Sequence, residues 1–566
     1  MQVFIDRIRS ALADATGLAP EDIRLESPRD EELGDLAFPC FVLAKTMRQA
    51  PPRIAVELAA SLSSQLESVA AEAAGPYLNF KIDRAALAED VFGQIEREGV
   101  RYGGSDEGRG KTIVIDLSSP NIAKPMHVGH LRSTIIGAAI QRLHDALGYR
   151  TVGINHIGDW GAQFGKLVCA IGRWGDTVDV EADPIRSLLA LYVRYHEEEP
   201  NDPTLDEEAR RAFQELESGE DGEVRRIWRQ LTELSMREFD KIYARLGVSF
   251  DLVRGEAFYE PYLESTIERL DAAGITEESQ GAKIVDLSSI EKNMAPCLLR
   301  KTDGTTLYAT RDLAALFHRW EEFAFDRCLY VVGGEQKLHF RQLKGVLRRM
   351  QLDWEQRVEH VAFGLLRLPE GRLSTRKGQV IFLEEVLDQV VLEAQRIIAE
   401  KNPELPNADQ IAEQVGIGAV IFDDLKRERI RDVTFDIAEV LSFEGETGPY
   451  VQYTHARLAS ILRKASEAGS GSAEADLSRL EDAGTIMTRL ARFRDSVRSA
   501  AQKAEPSEIS TWLLGLCREL NRWYAKNRVL GSEPALEAAR LRLIAASKSV
   551  IANGLQLLGV AAPEEM

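Results

Sequence analysis

Apolar residues recur at helical spacing from Val3 to Ala15 and from Pro52 to Leu66, and a short strand-like run follows at Tyr77 to Ile82. These patterns predict a small α+β unit. A Gly-rich, charged stretch, Gly103 to Lys111, separates it from a different pattern, so the first boundary is placed at residue 108. From Thr112 the chain reads as parallel sheet: Ile113-Val114-Ile115 is a buried strand, Gly129 to Leu147 an amphipathic helix, and Thr151 to Asn155 a second strand. That is one βαβ crossover. A charged helical region from Gly161 to about Gly247 comes next, then Lys283 to Asp286 and a hairpin around the turn Asp303-Gly304. Leu329 to Val332 is another buried strand, where the second half of the interrupted sheet begins. Past Lys401-Asn402-Pro403 strand signals end, and helices run to the C-terminus with one break at Gly469 to Ser472. The expected class is α/β, with an α+β unit over 1–108, the parallel sheet with insertions over 109–400, and an all-α domain over 401–566.

Length agrees with this division, because 566 residues exceed one ordinary core. Apolar residues make up 44% and charged residues 28%, and no stretch is long and apolar enough to span a bilayer, which argues against a membrane role. Met1 to Leu18 lacks the basic end, apolar centre and cleavage site of a secretory signal, which predicts a cytoplasmic protein. Five cysteines stand far apart without a C-x-x-C pair, so neither a zinc knuckle nor a disulfide framework is expected, and they read as reduced and mostly buried.

The formal net charge of −20 argues at first against a nucleic-acid partner. Net charge does not locate charge, however. Glu197 to Glu199 and Asp206 to Glu208 read as solvated helix faces, while basic residues gather in Arg341 to Arg349 and Arg489 to Lys503. An acidic protein can therefore bind a polyanion locally.

The most informative segment runs from Ser118-Ser119-Pro120-Asn121 through Lys124-Pro125-Met126 to His127-Val128-Gly129-His130, between the first buried strand and its helix. Open α/β sheets bind ligands at that place. Imidazoles at His127 and His130, at a helix start that favours anions, can donate to triphosphate oxygens, and Gly129 leaves room for a flat base. H-x-G-H alone is as often a pair of ordinary loop histidines; its position after a buried strand and before a helix favours the functional reading.

This segment resembles the HIGH signature of class I aminoacyl-tRNA synthetases, and its flanks resemble those of the arginyl family. Further matching blocks are Asn155-His156-Ile157-Gly158-Asp159-Trp160-Gly161, Tyr308-Ala309-Thr310-Arg311-Asp312 and the run from Glu444-Gly445-Glu446 to Arg457. The resemblance covers nearly the whole chain. It implies a Rossmann-type catalytic domain, an N-terminal additional domain and a helical anticodon-binding domain. It also implies activation of L-arginine by ATP with Mg²⁺, followed by transfer to the terminal ribose 2′-hydroxyl of tRNA(Arg), with the tRNA bound before activation. A monomer is expected, with no DNA partner and no protein-built metal cage.

The second class I signature, KMSKS, corresponds to Arg372-Leu373-Ser374-Thr375-Arg376-Lys377-Gly378, which departs from it at Arg372 and Thr375. Arg376 and Lys377 still offer two cations to developing pyrophosphate charge, and Ser374 joins them as a nucleotide contact. Standing alone, the stretch reads as a basic surface loop. The resemblance assigns Lys124 to the α-phosphate.

Selecting arginine needs carboxylates, since a guanidinium presents five donors in a fixed fork. The family's contacts map onto Tyr308, Asp312 and Gln336 for the side chain, with Asp116 and Asn121 nearer the α-amino group. Structural alternatives stand beside each: Asp312 as cap of a helix beginning near Thr310, Tyr308 as core, Gln336 as a loop amide. For RNA, the candidates are Tyr453 and Arg457, then Trp523 and Arg528 in the run Asn521 to Arg528, each weighed against packing. In the N-terminal unit, Tyr77 could stack on a D-loop base while Asn79 reads its edge. Two other readings remain open: a nucleotidylyltransferase with a small acceptor, which leaves the helical domain unexplained, and a silent tRNA-binding scaffold.

Overall fold

The structure is a computed structural model that describes the chain except for residues 27, 29, 31–32, 220, 368–381 and 472. The N-terminal unit is a three-stranded antiparallel sheet, β1 (Leu36–Pro39), β2 (Val69–Ala74) and β3 (Tyr77–Ile82), in the order β1-β3-β2, packed against the helix Pro51–Leu62. The central sheet holds β4 (Thr112–Asp116), β5 (Arg150–Asn155), β6 (Leu252–Val253), β10 (Arg327–Gly333) and β11 (Val358–Phe363), all parallel, in the order β11-β10-β4-β5-β6. Ile113, Val114 and Ile115 are fully buried. A parallel strand covered on both faces needs such an unbroken apolar run, which is why the pattern identified it.

The order reverses between β4 and β10, and ligands bind at such a switch point, beyond the carboxyl ends of the strands. Helix Val128–Ala146 connects β4 to β5 and packs on the sheet on one side and on helices Phe493–Lys503 and Pro534–Leu558 on the other, so it is buried along most of its length. The charged region after Gly161 forms four helices, Ala162–Trp174, Pro184–Glu198, Thr204–Glu217 and Glu223–Leu246. They share a small core of their own around Leu188, Leu191, Tyr195 and Leu205. A second insertion carries β7 (Thr276–Ser279), β8 (Ala282–Val285) and β9 (Cys297–Arg300) as an antiparallel sheet, and the turn at Gly304 brings Thr306 back to a bridge with Arg300.

Strands do not end at Lys401. β12 (Leu366–Arg367) pairs in parallel with β13 (Val433–Thr434), two residues each and too short to show an alternation. Helix Leu383–Lys401 packs against Ala408–Leu425, so chain on both sides of Lys401 shares one helix pair.

The two basic runs do not form open cationic surface. Within Arg489 to Lys503, Arg489 pairs with Glu519, Arg494 with Glu98 and Arg498 with Glu107, which ties the helical part to the N-terminal part. Within Arg341 to Arg349, Arg341 pairs with Glu291, Arg348 with Glu355, and Arg349 donates to the Asp286 carbonyl at 2.8 Å. The five cysteines are buried and unpaired. No helix among the described residues is long and apolar enough to cross a membrane.

Candidate active site

Three non-glycine residues in the loop after β4, Ser118, Ser119 and Ala123, adopt positive φ of 69°, 54° and 59°. Left-handed backbone costs such residues on the order of 1–3 kcal/mol each and persists only where the surroundings enforce it. Here a hydroxyl network enforces it. Ser118 N donates to Ser133 Oγ at 3.0 Å, Thr134 Oγ1 donates to Ser118 Oγ at 2.8 Å, Ser119 N reaches Asn155 Oδ1 at 3.2 Å, and Ala123 N reaches Ser235 Oγ at 2.9 Å. The polar residues of three sequence blocks thus hold one loop in register with the sheet.

That loop delivers His127 to the N-cap of Val128–Ala146. The Gly129 N–H donates to His127 Nδ1 at 3.0 Å and the His127 N–H to His130 Nδ1 at 3.2 Å, a reciprocal capping box built from two imidazoles. Burial pushes both rings below the usual histidine range, His130 to about 3. Each ring is therefore neutral, and since its Nδ1 accepts, its proton sits on Nε2. The rings lie 4.0 Å apart and present two Nε2–H donors at a helix N-terminus. A Cβ at Gly129 would lie 2.7 Å from His127 Cε1, so glycine here first makes room for the capping ring itself.

A cavity of about 560 Å³ opens at the switch point. It brings together Asp116, Asn121, Gly129, His130, Tyr308, Asp312 and Gln336, together with Ser133, His156, Glu256, His339 and Phe363. Helix Tyr308–Phe323 starts at Tyr308 with Leu307 at its cap, so Asp312 lies inside the helix and is not its cap. Tyr308 is 68% exposed, which removes the core reading. Gln336 ends a short 3₁₀ turn after β10, exposed on the cavity wall. Asn121 meets Gly158 across an isolated bridge, and a Cβ at Gly158 would lie 1.9 Å from Asn121 Oδ1, so this crossing needs glycine. Asp312 Oδ2 pairs with His339 Nε2 at 2.5 Å, which leaves Oδ1 for a ligand.

Glu256 is the wall residue that the sequence did not disclose. It stands at the start of the short helix Glu256–Tyr259, outside any motif block, and its carboxyl is pushed up to about 7. Burial is the main cause, opposed by Arg311 and reinforced by Asp312, Asp159 and Glu260. A buried carboxyl with carboxylate neighbours is one whose charged form a cation would stabilise. Cation binding must then expel its proton below pH 7, so affinity for a guanidinium ligand rises with pH through about 7 and levels off above it. We expect the arginine KM to fall as pH rises from 6 to 8, with the slope flattened by Glu256→Gln. A wild-type KM independent of pH would exclude Glu256 from the site.

Lys124 is not part of the cavity wall; its ammonium lies 5.5 Å from the Tyr192 ring centre, and burial lowers its pKa. Ser374, Arg376 and Lys377 fall outside the described residues. The described chain resumes at Phe382, bridged to His127, with Leu383 N donating to Met126 O at 2.9 Å, which places Phe382 and Leu383 beside the histidine pair.

The RNA candidates divide. Arg457 lies over both Tyr453 and Tyr524, at 5.3 and 5.6 Å, on a cleft of about 470 Å³ that also takes in Lys464 and Met566. Tyr453 is exposed there. Trp523 is 5% exposed, turned into the helical core, and this corrects its reading as a stacking platform. Arg528 is exposed but donates to its own turn at Leu530 O, 2.9 Å. In the N-terminal unit Tyr77 is half-buried and meets the half-exposed Phe41 edge-on at 5.9 Å, whereas Asn79 is 3% exposed and cannot offer its amide to a base edge. Tyr77, Asn79 and Lys81 share one face of β3, the central strand of its sheet, and of these three only Asn79 is buried.

The family model for class I tRNA synthetases (R), catalytic domain, matches residues 94–437. The DALR anticodon binding domain matches 451–566, and the arginyl tRNA synthetase N-terminal domain matches 2–82. The chain is 47% identical to an arginine–tRNA ligase of Ligilactobacillus salivarius over 97% of each chain, and 44% identical to that of Clostridioides difficile over 100% of each. The arginyl-tRNA synthetase structure of Thermus thermophilus superposes with a TM-score of 0.82 at 26% identity, covering 100% of both chains. A switch-point cavity lined by His130 of the capping imidazole pair and by Asp116, Glu256 and Asp312, in a chain that matches these relatives from end to end, makes this protein a member of the class I arginyl-tRNA synthetase family.

Proposed function

We propose that the protein activates L-arginine with ATP and transfers it to tRNA(Arg). The observation that carries this is the make-up of the cavity: Asp312 lies near enough to act on the Glu256 carboxyl, and His130, a neutral Nε2–H donor in the first turn of a helix, lines the same cavity. A fork-shaped cation and a polyphosphate fit those two kinds of lining. The guanidinium binds Asp312 Oδ1 and Glu256, Tyr308 and Gln336 border it, and Asp116 and Asn121 receive the α-amino end. His127 and His130 donate to the phosphates without requiring protonation.

In the first step an arginine carboxylate oxygen attacks the α-phosphorus in line, and pyrophosphate leaves with the electron pair of the broken P–O bond. In the second the terminal ribose hydroxyl attacks the adenylate carbonyl, loses its proton, and AMP leaves. The protein contributes position and charge rather than a nucleophile. Mg²⁺ arrives with the nucleotide; among the described residues no cluster of three His, Cys, Asp or Glu could hold an ion. Lys124 serves the α-phosphate by swinging off Tyr192, and Ser374, Arg376 and Lys377 serve the departing pyrophosphate. RNA contacts fall to Tyr453 and Arg457 on the helical domain and to Tyr77 on the N-terminal one. We assign the units as 1–108, 109–400 and 401–566, in a cytoplasmic monomer.

Pyrophosphate exchange with each amino acid, with and without tRNA, tests the reading. Exchange driven by arginine and dependent on tRNA supports it. Exchange with another amino acid removes arginine as the substrate, and no exchange under any condition removes the whole reading and leaves the scaffold or nucleotidylyltransferase ones.

A further inference from the structure

Beneath the cavity lies a cation that no step above uses. Arg319, on the same helix as Tyr308 and Asp312, is fully buried, and its NH2 donates to Asp116 Oδ2 at 2.7 Å. The other oxygen of Asp116, Oδ1, accepts from Ser119 Oγ at 2.9 Å. The guanidinium lies 5.0 Å from the ring centre of Tyr330, which lines the cavity, and its Nε and NH1 meet no oxygen acceptor among the described residues. A buried ion pair whose remaining donors meet no oxygen is an inefficient way to stabilise a core, where apolar side chains of similar volume do as well or better. Its retention under a binding site calls for another reason, and the charge balance of the pocket supplies one.

Asp312 and Glu256 make one side of the cavity acidic. Were Asp116 also an uncompensated carboxylate, its part of the cavity would attract a cation as well, and an arginine could bind backwards, with its carboxylate away from the nucleotide. We propose that Arg319 is a positioning residue that cancels the charge of Asp116, so that only one end of the pocket attracts a cation and the substrate enters in one direction. This rests on the arginine reading of the cavity. A zwitterionic α-amino acid head, with its own carboxylate, feels little of a charge change at Asp116, whereas a bare ammonium feels all of it.

Decarboxylated arginine, a cation at both ends, is therefore the probe, read as its inhibition constant relative to the arginine KM in pyrophosphate exchange. Arg319→Met should lower that ratio by at least about tenfold, because it uncovers Asp116, and Asp116→Asn should raise it by at least about tenfold, because it uncovers Arg319. Arg319→Lys, which keeps the charge, and the double variant Arg319→Met/Asp116→Asn should both stay near the wild-type ratio. Loss of packing moves both single variants the same way, so shifts of one sign, or no shift, overturn the proposal. If Arg319→Met does not fold, Asp116→Asn decides alone: a ratio that does not rise overturns it. A wild-type enzyme without arginine-driven exchange sinks the arginine reading itself, whereas intact exchange with an unmoved ratio sinks only the role of Arg319.

Discussion

Asp312→Ala is expected to raise the arginine KM by roughly 10²–10³-fold while the ATP KM changes by less than about threefold. Truncating one partner of a desolvated charge pair costs about 2–5 kcal/mol, much of it the penalty of leaving the guanidinium without its acceptor. The nucleotide contacts proposed above lie on another element, the start of Val128–Ala146, so the loss should not spread to ATP. Since His339 holds Oδ2, the lost ligand acceptor is Oδ1, and Asp312→Asn separates charge from shape. The asparagine keeps an oxygen for one hydrogen bond and loses the ionic part, so its KM should fall between wild type and alanine. Steady-state pyrophosphate exchange in both substrates measures this. An unchanged arginine KM in Asp312→Ala would place the guanidinium elsewhere.

His130→Ala is expected to lower kcat for exchange by about 10²–10³-fold, the usual consequence of removing one preorganised donor from charge that develops in the transition state. The same variant loses the Nδ1 acceptor that caps the helix, which adds a stability cost of about 1 kcal/mol. The two losses can be told apart: thermal unfolding reports the cap, and kcat at a temperature well below the transition reports the donor. Because burial holds His130 near 3, its neutral form persists across the working range, and kcat should show no limb between pH 5.5 and 8 from this ring. A kcat within fivefold of wild type, or a limb in that range that disappears in the variant, would contradict the donor role.

Most of the frame was legible because its signals are local. Ile113 to Ile115 reads as a buried parallel strand from three consecutive apolar β-branched residues, and the helix that follows reads from its period. Asp312 and Tyr308 were legible through the block that holds them and Gln336 through the family's contacts, and the cavity gathers all three. Glu256 was not, since a glutamate opening a short helix has nothing in its neighbourhood to distinguish it from a solvated one. Trp523 and Asn79 were misread because residue type states what a side chain can do and not which way its helix or strand turns it. The basic runs misled for a related reason: Arg494 and Arg498 find their carboxylates at Glu98 and Glu107, in a part of the chain that folding alone brings near.

By itself the sequence determined the βαβ crossover of the central sheet, the loop that carries the two histidines, and the motif residues of the pocket, because periodicity and short motifs are properties of neighbouring residues. Only the tertiary structure decided which charges remain available and which cancel. Asp116 is occupied by Arg319, and Asp312 is half-occupied by His339. Glu256 is raised toward neutrality mainly by burial, with the carboxylates around it adding to the shift. Each of these depends on burial and on distances between segments far apart in the chain, and electrostatic energy inside a protein is set by those two quantities.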